Sequence, residues 1–421
     1  MFEHLGVIVL LLVAAAVAAG QIVSVAGFVR TLRTFRQAPL ADAACPRAAV
    51  VLCLRGPDPF LRDTVAAVLN QDYPSYQVVI VVDHRDDASW RVVQDAIVEH
   101  GSKHVSMQPL AQRLDTCSLK CSSLVQAVSS LDPSVEIVAQ LDADTVPHAT
   151  WLRELAGALA DDRVAAATGN RWYMPAHATP GALVRYLWNV AAVVQMHDLG
   201  IAWGGTLAIK TRVIREAGLL DRWSRAFCED TMLFAQLRDH GYQVRFVPSL
   251  MMVNRESCDL AGFSRWMPRQ LLTARLYHPG WPVVVRDTFA TTLLPMIAFG
   301  LCLASALRGD RQSALTYGSV LAGYQLLAMS LVWRLESAVR PVFVSRSQDT
   351  KWLSVASVMK MALMLPVTQA VSAWGIVSAL RFRTVEWRGV TYSVGGPWQI
   401  RLRKYRPYVD ASAGAIESKS L

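Results

Sequence analysis

The chain has 421 residues, 53% of them hydrophobic, a mean hydropathy of +0.27 and a net charge of +9. That is too apolar for a purely soluble protein and too polar for a bundle of membrane spans alone, and it leaves room for one domain of about 200–250 residues with spans attached. The cations gather beside apolar segments, Arg30, Arg33 and Arg36 after the first and Arg381, Arg383, Arg388, Arg401, Arg403, Lys404 and Arg406 near the end. Anionic headgroups and the positive-inside bias, not nucleic acid, are therefore their expected counterpart. Seven cysteines, at 45, 53, 117, 121, 228, 258 and 302, lack paired spacing, which argues against a disulfide framework and against a zinc site.

Leu5–Val29 is an apolar run long enough to cross ~30 Å of hydrocarbon. Glu3 precedes it and three arginines follow, the reverse of a secretory signal. This order predicts a signal anchor, with its N-terminus outside and the next domain in the cytoplasm. From Ala48 to Pro248, short β-rich runs alternate with helical patterns. Strands are expected at Ala49–Leu54, Gln77–Val82, Val135–Leu141, Val164–Thr168 and Val244–Val247, and helices at about Pro59–Asn70, Ser118–Ser130, Ala149–Ala160 and Asp230–His240. The alternation predicts an α/β domain with a mostly parallel, Rossmann-like sheet, whose ligands sit beyond the carboxyl ends of the strands. Within it, Leu183–Met196 is strongly apolar. It is either ordinary core or a bilayer-facing element that shapes lipid entry, with Gln195, His197 and Asp198 at its end.

Gly262–Trp281, with Arg265, Trp266, Arg269, Arg275 and Trp281, has the composition of an interfacial helix. Thr288–Leu307 and Ser313–Val332 read as spans joined by an Arg-Gly-Asp-Arg turn, and Trp352–Leu380 is long enough to cross although Lys360 and Pro366 interrupt it. Three simple crossings would leave the basic tail outside. One segment, around Trp352–Leu365, is therefore expected to lie in the interface or to re-enter. The division is an anchor over 1–30, a cytoplasmic α/β domain over 45–260, an interfacial helix over 262–282, a transmembrane region over 283–381 and a basic cytoplasmic tail over 382–421.

Three acidic signatures carry the chemistry. Asp83 ends an apolar strand, where a carboxylate can accept from an N–H on the edge of a pyrimidine. Asp142-Ala143-Asp144 follows another strand, where a D-x-D can direct a carboxylate at a divalent cation that also binds a diphosphate; capping of the following helix is the competing explanation. Glu229-Asp230 is expected to open a helix, so Asp230 is either an N-cap or a general base within reach of an acceptor hydroxyl.

In this order, Asp83, Asp142-Ala143-Asp144 and Cys228-Glu229-Asp230 resemble family 2-type inverting glycosyltransferases with the GT-A fold. Several stretches are similar to the ceramide glucosyltransferase-like branch, which includes bacterial enzymes that glycosylate membrane lipids. They are Asn70-Gln71-Asp72-Tyr73-Pro74, Asp83-His84-Arg85-Asp86-Asp87, Ser118-Leu119-Lys120, Gly204-Gly205-Thr206 and Glu386-Trp387-Arg388-Gly389-Val390-Thr391-Tyr392. The resemblance implies a UDP-sugar donor, Mg²⁺ or Mn²⁺, a membrane-lipid hydroxyl as acceptor and a bacterial inner-membrane location. It gives Asp83 the uracil, Asp144 the metal, Asp142 the sugar or ribose, and Asp230 the role of base. Lys120, Arg269, Gln270 and Arg275 would face the nucleotide, and Gly205 and Glu229 the acceptor side. His197, at the end of the apolar Leu183–Met196 run, is a further acceptor-side candidate, against which stands the structural role more usual for a lone His. The family's (Q/R)-x-x-R-W motif is incomplete here: Leu272 and Thr273 stand where Arg and Trp are usual. That loss argues against the first rival, a short-chain polysaccharide synthase. It is the sole support for the second, a non-catalytic nucleotide- or lipid-binding relative.

Overall fold

A computed structural model describes residues 2–101 and 104–408, with side chains from Gly6 onward; residues 409–421 of the expected basic tail lie outside the described residues. The α/β domain carries β1 (Ala48–Leu54), β2 (Tyr76–Val82), β3 (Val105–Pro109), β4 (Ile137–Leu141), β5 (Val164–Tyr173), β6 (Thr206–Lys210) and β7 (Gln243–Asn254). Between α1 (Phe2–Thr34) and α10 (Leu260–Tyr277), the helices are α2 (Leu61–Leu69), α3 (Ala88–His100), α4 (Leu119–Ser129), α5 (Trp151–Ala158), α6 (Pro180–Leu199), α7 (Thr211–Glu216), α8 (Leu219–Trp223) and α9 (Leu233–Arg238).

The sheet order is β3-β2-β1-β4-β6-β5-β7. Strands β1 to β4 run parallel and β5 is parallel to β7, while β6 is antiparallel to both neighbours. This is the expected mostly parallel, GT-A-like sheet. The all-apolar runs in β1 and β2, and the run that ends in Leu141, are explained by helices on both faces, which bury every residue of β4. Two cores result. One packs α4, α8 and α9 on one face, and the other packs α2 and α5 on the other.

Sequence patterns missed α3, α7, α8, β3 and β6, and read as a basic tail the stretch that forms the C-terminal strands Thr384–Trp387, Val390–Gly396 and Gln399–Tyr405. Strand β3 is a half-buried edge strand without clean alternation. Strand β6 starts immediately after Gly204-Gly205, so its first residue reads as loop. The helix expected to begin at Asp230 begins at Leu233, and Asp230 lies in the preceding turn, its carbonyl accepting from Leu233 N at 2.9 Å.

The remaining elements are α11 (Trp281–Leu307), α12 (Arg311–Val344), α13 (Val355–Arg381) and an antiparallel sheet of β8 (Thr384–Trp387), β9 (Val390–Gly396) and β10 (Gln399–Tyr405). Four helices, α1 (from Gly6), α11, α12 and α13, are long and apolar enough to cross a membrane. Their outer faces expose Leu12, Val23, Phe299, Leu315, Leu326 and Leu363.

These helices are tied to the α/β domain at defined points. Phe28 of α1 is fully buried against His197 and Phe246. Glu336 of α12 accepts from Trp172 Nε1 (3.1 Å), Tyr186 Oη (2.9 Å) and Trp352 Nε1 (3.2 Å), so a buried carboxylate has three donors and joins β5, α6 and the segment before α13. Helix α13 is continuous through Pro366; its start touches the α/β domain and its end touches α10. Trp352, just before it, packs edge-on to Tyr186, and near its other end Arg275 donates to Leu380 O at 2.8 Å.

Candidate active site

The site forms at the carboxyl ends of β1, β2 and β4, where the sheet order places residues far apart in sequence side by side. Asp142 and Asp144 leave β4 in a turn closed by Thr145 N donating to Asp142 O (3.1 Å) and held from α2 by Thr64 Oγ1 donating to Ala143 O (3.0 Å). Register pairs Leu141 with Thr206, which brings Gly204-Gly205 against the acidic turn. A Cβ on Gly205 would run into the Trp203 ring and stand 2.8 Å from Asp142 Oδ2; one on Gly204 would collide with Glu229. The glycine pair is therefore a condition of close approach.

Lys120 projects from the first turn of α4, whose cap is Ser118 Oγ accepting from Cys121 N at 3.2 Å. Its Nζ lies 2.7 Å from Asp142 Oδ1 and 2.6 Å from Glu229 Oε1, the second an ion pair without hydrogen-bond geometry. Burial alone would lower the Lys120 pKa, but Asp142, Glu229 and Asp230 overcome it and hold it well above the usual range. On the other side Arg171 Nη2, from β5, lies 3.0 Å from Asp144 Oδ1 and 3.4 Å from Asp142 Oδ2.

The carboxylates titrate apart. Burial pushes Asp142 up, but Lys120 and Arg171 hold it below the usual range. Asp144 is pushed up to about 6 by burial, against Arg171 and with Asp142 adding to the rise. Glu229 reaches about 7, raised by burial and by Asp230, with Lys120 opposing. Asp230 is half-buried: its Oδ2 accepts from Gly204 N (2.8 Å) and its Oδ1 from Thr231 N (2.6 Å) and Thr231 Oγ1 (2.9 Å).

Asp83 is buried and satisfied on both oxygens. Oδ2 accepts from Arg55 Nη1 and from Tyr405 Oη (3.0 Å), and Oδ1 from Arg113 Nε at 3.4 Å. Tyr405 comes from β10, so the C-terminal sheet packs on the domain. The same contact is made by Tyr392 Oη accepting from Leu119 N (3.0 Å) and by Arg388 paired with Asp58 at 2.6 Å.

One cavity of about 980 Å³ joins these groups to the apolar helices. Asp83, Lys120, Asp142, Asp144, Glu229, Asp230, Arg269 and Gln270 line its polar end. Its far end runs past Gln195 of α6 and Asp287 of α11 to Gln21 of α1, Tyr324 of α12 and Gln369 of α13.

Two expected site residues are not brought here. His197 Nε2 lies 3.0 Å from Thr31 Oγ1 against Phe28 and Phe246, where it fastens α1. Arg275 is spent on the last carbonyls of α13 and its C-cap. Sequence reading missed Arg55, Arg113, Arg171 and Tyr405, whose only signal was charge or hydroxyl near a strand end.

Among the described residues, no group of three or more His, Cys, Asp or Glu side chains forms a protein-only metal cage. The acidic turn nevertheless fits a hard cation. Asp142 and Asp144 already converge on one cationic nitrogen, Arg171 Nη2, and Mg²⁺ or Mn²⁺ sites of this type use one or two carboxylates with the remaining positions left to phosphate and water.

The chain is similar to several known proteins. A probable glycosyltransferase, YdaM, of Bacillus subtilis (strain 168) is 22% identical over 223 residues, covering 50% of this chain and 51% of the relative, so the chain spans about half the length of that protein. Among solved structures, the mannosyltransferase PcManGT from Pyrobaculum calidifontis, in complex with GDP-Man and Mn²⁺, aligns with a TM-score of 0.48 at 16% identity, over 88% of this chain and 99% of that one. Glucosyl-3-phosphoglycerate synthase from Mycobacterium tuberculosis, with Mn²⁺, UDP-glucose and phosphoglyceric acid, aligns with a TM-score of 0.38 at 12% identity, over 57% and 84%. The Glycosyl transferase family 21 model matches residues 7–398, from the first helix into the C-terminal sheet, and the chain belongs to that family.

Proposed function

We propose that the protein is an inverting glycosyltransferase that moves a hexose from a UDP-sugar to a hydroxyl of a membrane lipid of ceramide, hopanoid or diacylglycerol type. The observation that carries this reading is the single cavity that runs from the acidic strand ends into the apolar helices. A water-soluble acceptor has no use for its far half, whereas a lipid hydroxyl presented at Asp230 has apolar mass to place there.

Asp230 acts as general base. Its carboxylate is oriented by Gly204 N and Thr231 N and faces the cavity, so it can take the proton as the hydroxyl attacks the anomeric carbon. Attack opposite the leaving group inverts that carbon in one displacement, with no covalent enzyme intermediate. Asp144, with Asp142, would hold Mg²⁺ or Mn²⁺, which when bound supplies Lewis-acid neutralisation of the departing diphosphate. Lys120 fixes Asp142 and Glu229 in place and adds positive charge on the nucleotide side. Asp83 reads the uracil by exchange: the base N–H replaces the 3.4 Å contact from Arg113, the longest of its three bonds.

The same reading includes a membrane arrangement, supported by the contacts of α13. Helices α1, α11 and α12 cross, while the segment around Trp352–Leu365, whose start packs against Tyr186 of α6, lies in the interface or re-enters. The C-terminal sheet is thereby kept on the cytoplasmic side with the catalytic domain.

The test is product analysis. Protein in lipid nanodiscs is incubated with Mn²⁺, a panel of labelled UDP-hexoses and candidate hydroxylated lipids. Label is expected in the lipid phase for one donor, with the anomeric configuration opposite to that of the donor. Label confined to a water-soluble product, or a retained configuration, would refute the reading.

A further inference from the structure

Around the polar end of the cavity nearly every cation is matched to a carboxylate. Lys120 pairs with Asp142 and Glu229, Arg171 with Asp142 and Asp144, Arg55 with Asp83, and Arg388 with Asp58. Arg269 of α10 is the exception. It lines the cavity, yet among the described residues it makes no hydrogen bond or ion pair, and its Cζ instead lies 5.2 Å from the centroid of the Trp387 ring.

Trp387, at the end of β8, lines the same wall, and its indole Nε1 is buried with no acceptor. Buried donors are seldom left unmade, and one in a cavity wall beside an unpaired guanidinium forms a receptor for an anion. The guanidinium offers a planar fork and the indole a single N–H, a donor set that suits phosphate oxygens. Burial and the nearby Arg388 lower Arg269 to about 10, a strain that an anion relieves. The turn of α10 that follows cannot serve instead. Leu272 is fully buried, and Thr273 Oγ1 donates to Gln270 O at 2.7 Å.

We propose that Arg269 and Trp387 together bind the pyrophosphate oxygens of the sugar nucleotide, so that the C-terminal sheet completes the donor site. The inference rests on the donor reading above and adds to it a residue from outside the α/β domain. It also explains how the site works without an Arg-Trp pair at Leu272 and Thr273. That pair is reassembled from a residue one turn earlier and a residue more than a hundred positions later in the chain.

The test is isothermal titration of the full chain in nanodiscs, with Mn²⁺, using UDP, inorganic pyrophosphate and uridine as separate probes. Arg269→Gln and Trp387→Phe are each expected to weaken UDP and pyrophosphate by roughly tenfold or more, the range for hydrogen bonds to charged groups. Uridine affinity should be unchanged, which also reports that the fold is intact. Arg269→Lys, which keeps the charge without the fork, should fall between. UDP affinity within about twofold of wild type in both Arg269→Gln and Trp387→Phe, a difference within the scatter of single contacts, would overturn the proposal and leave the donor reading standing. Parallel loss of uridine and UDP in both would overturn it as well, since the effect would not be on phosphate. A wild-type chain that binds no UDP would remove the donor reading and this inference together.

Discussion

Asp142 and Asp144 stand two residues apart, yet their surroundings drive them in opposite directions. Lys120 and Arg171 keep Asp142 ionised, while burial and the charge of Asp142 raise Asp144 to about 6. A metal binds the carboxylate form, so protonation of Asp144 competes with it. Mn²⁺-dependent UDP affinity should therefore climb as pH rises from about 5 to 7 and level off above, because the raised pKa places the proton release in that window. Titrations across this range check it: wild type should show the step and Asp144→Asn should not. A flat wild-type profile would contradict the assignment of Asp144. Asp83, Asp142 and Asp144 were legible because each follows an apolar run that had to be a buried strand. Their counter-charges were not. Arg171 meets Asp144 only because β6 is inserted between β4 and β5 and returns the chain antiparallel, a long-range choice that no local pattern encodes.

At the scale of elements, the site depends on the start of α4, because Lys120 sits in its first turn. Ser118 caps that end from within the domain, and Tyr392 of β9 accepts the Leu119 N–H from outside it. Tyr392→Phe removes the acceptor while keeping the ring, which leaves a buried N–H unmade at a cost of about 1–3 kcal/mol. The variant should show a lower unfolding temperature in detergent and weaker UDP binding; an unchanged melting profile would mean that the contact does not hold α4. Elements with strong periodicity, such as α2, α4 and β1, were readable to within a few residues. Strand β3 at the sheet edge and β6 behind two glycines were not, because their half-polar or loop-like composition acquires strand structure only from neighbours. The turn at Asp230 was read as a helix start for a related reason. Its carboxylate resembles an N-cap, but its oxygens serve Gly204 N and Thr231 N, and α9 begins only after them.

For the whole molecule, composition and charge order predict an α/β domain with membrane spans, and four helices, α13 among them, are long and apolar enough to cross. The odd count of apolar segments near the C-terminus carries the expectation that one of them does not. On the reading proposed above that one is α13, whose start packs beside Tyr186 and whose end accepts from Arg275. Single cysteines placed at Lys351 and Arg383, read against the parent chain as background, should both react with an impermeant maleimide from the same face of a sealed vesicle. That face should also label a cysteine at exposed Arg163 of the catalytic domain. Labelling of Lys351 and Arg383 from opposite faces would mean that α13 crosses.

The central claim is that Asp230 deprotonates a lipid hydroxyl at a UDP-sugar site, and the most direct measurement is UDP release by wild type and Asp230→Asn in nanodiscs with Mn²⁺, one donor and one hydroxylated lipid. Wild type should release UDP only when the lipid is present. Asp230→Asn should lose roughly a hundredfold or more of that rate, as removal of a general base does, while binding UDP normally. Near-wild-type release by the variant, or release that ignores the lipid, would contradict the account.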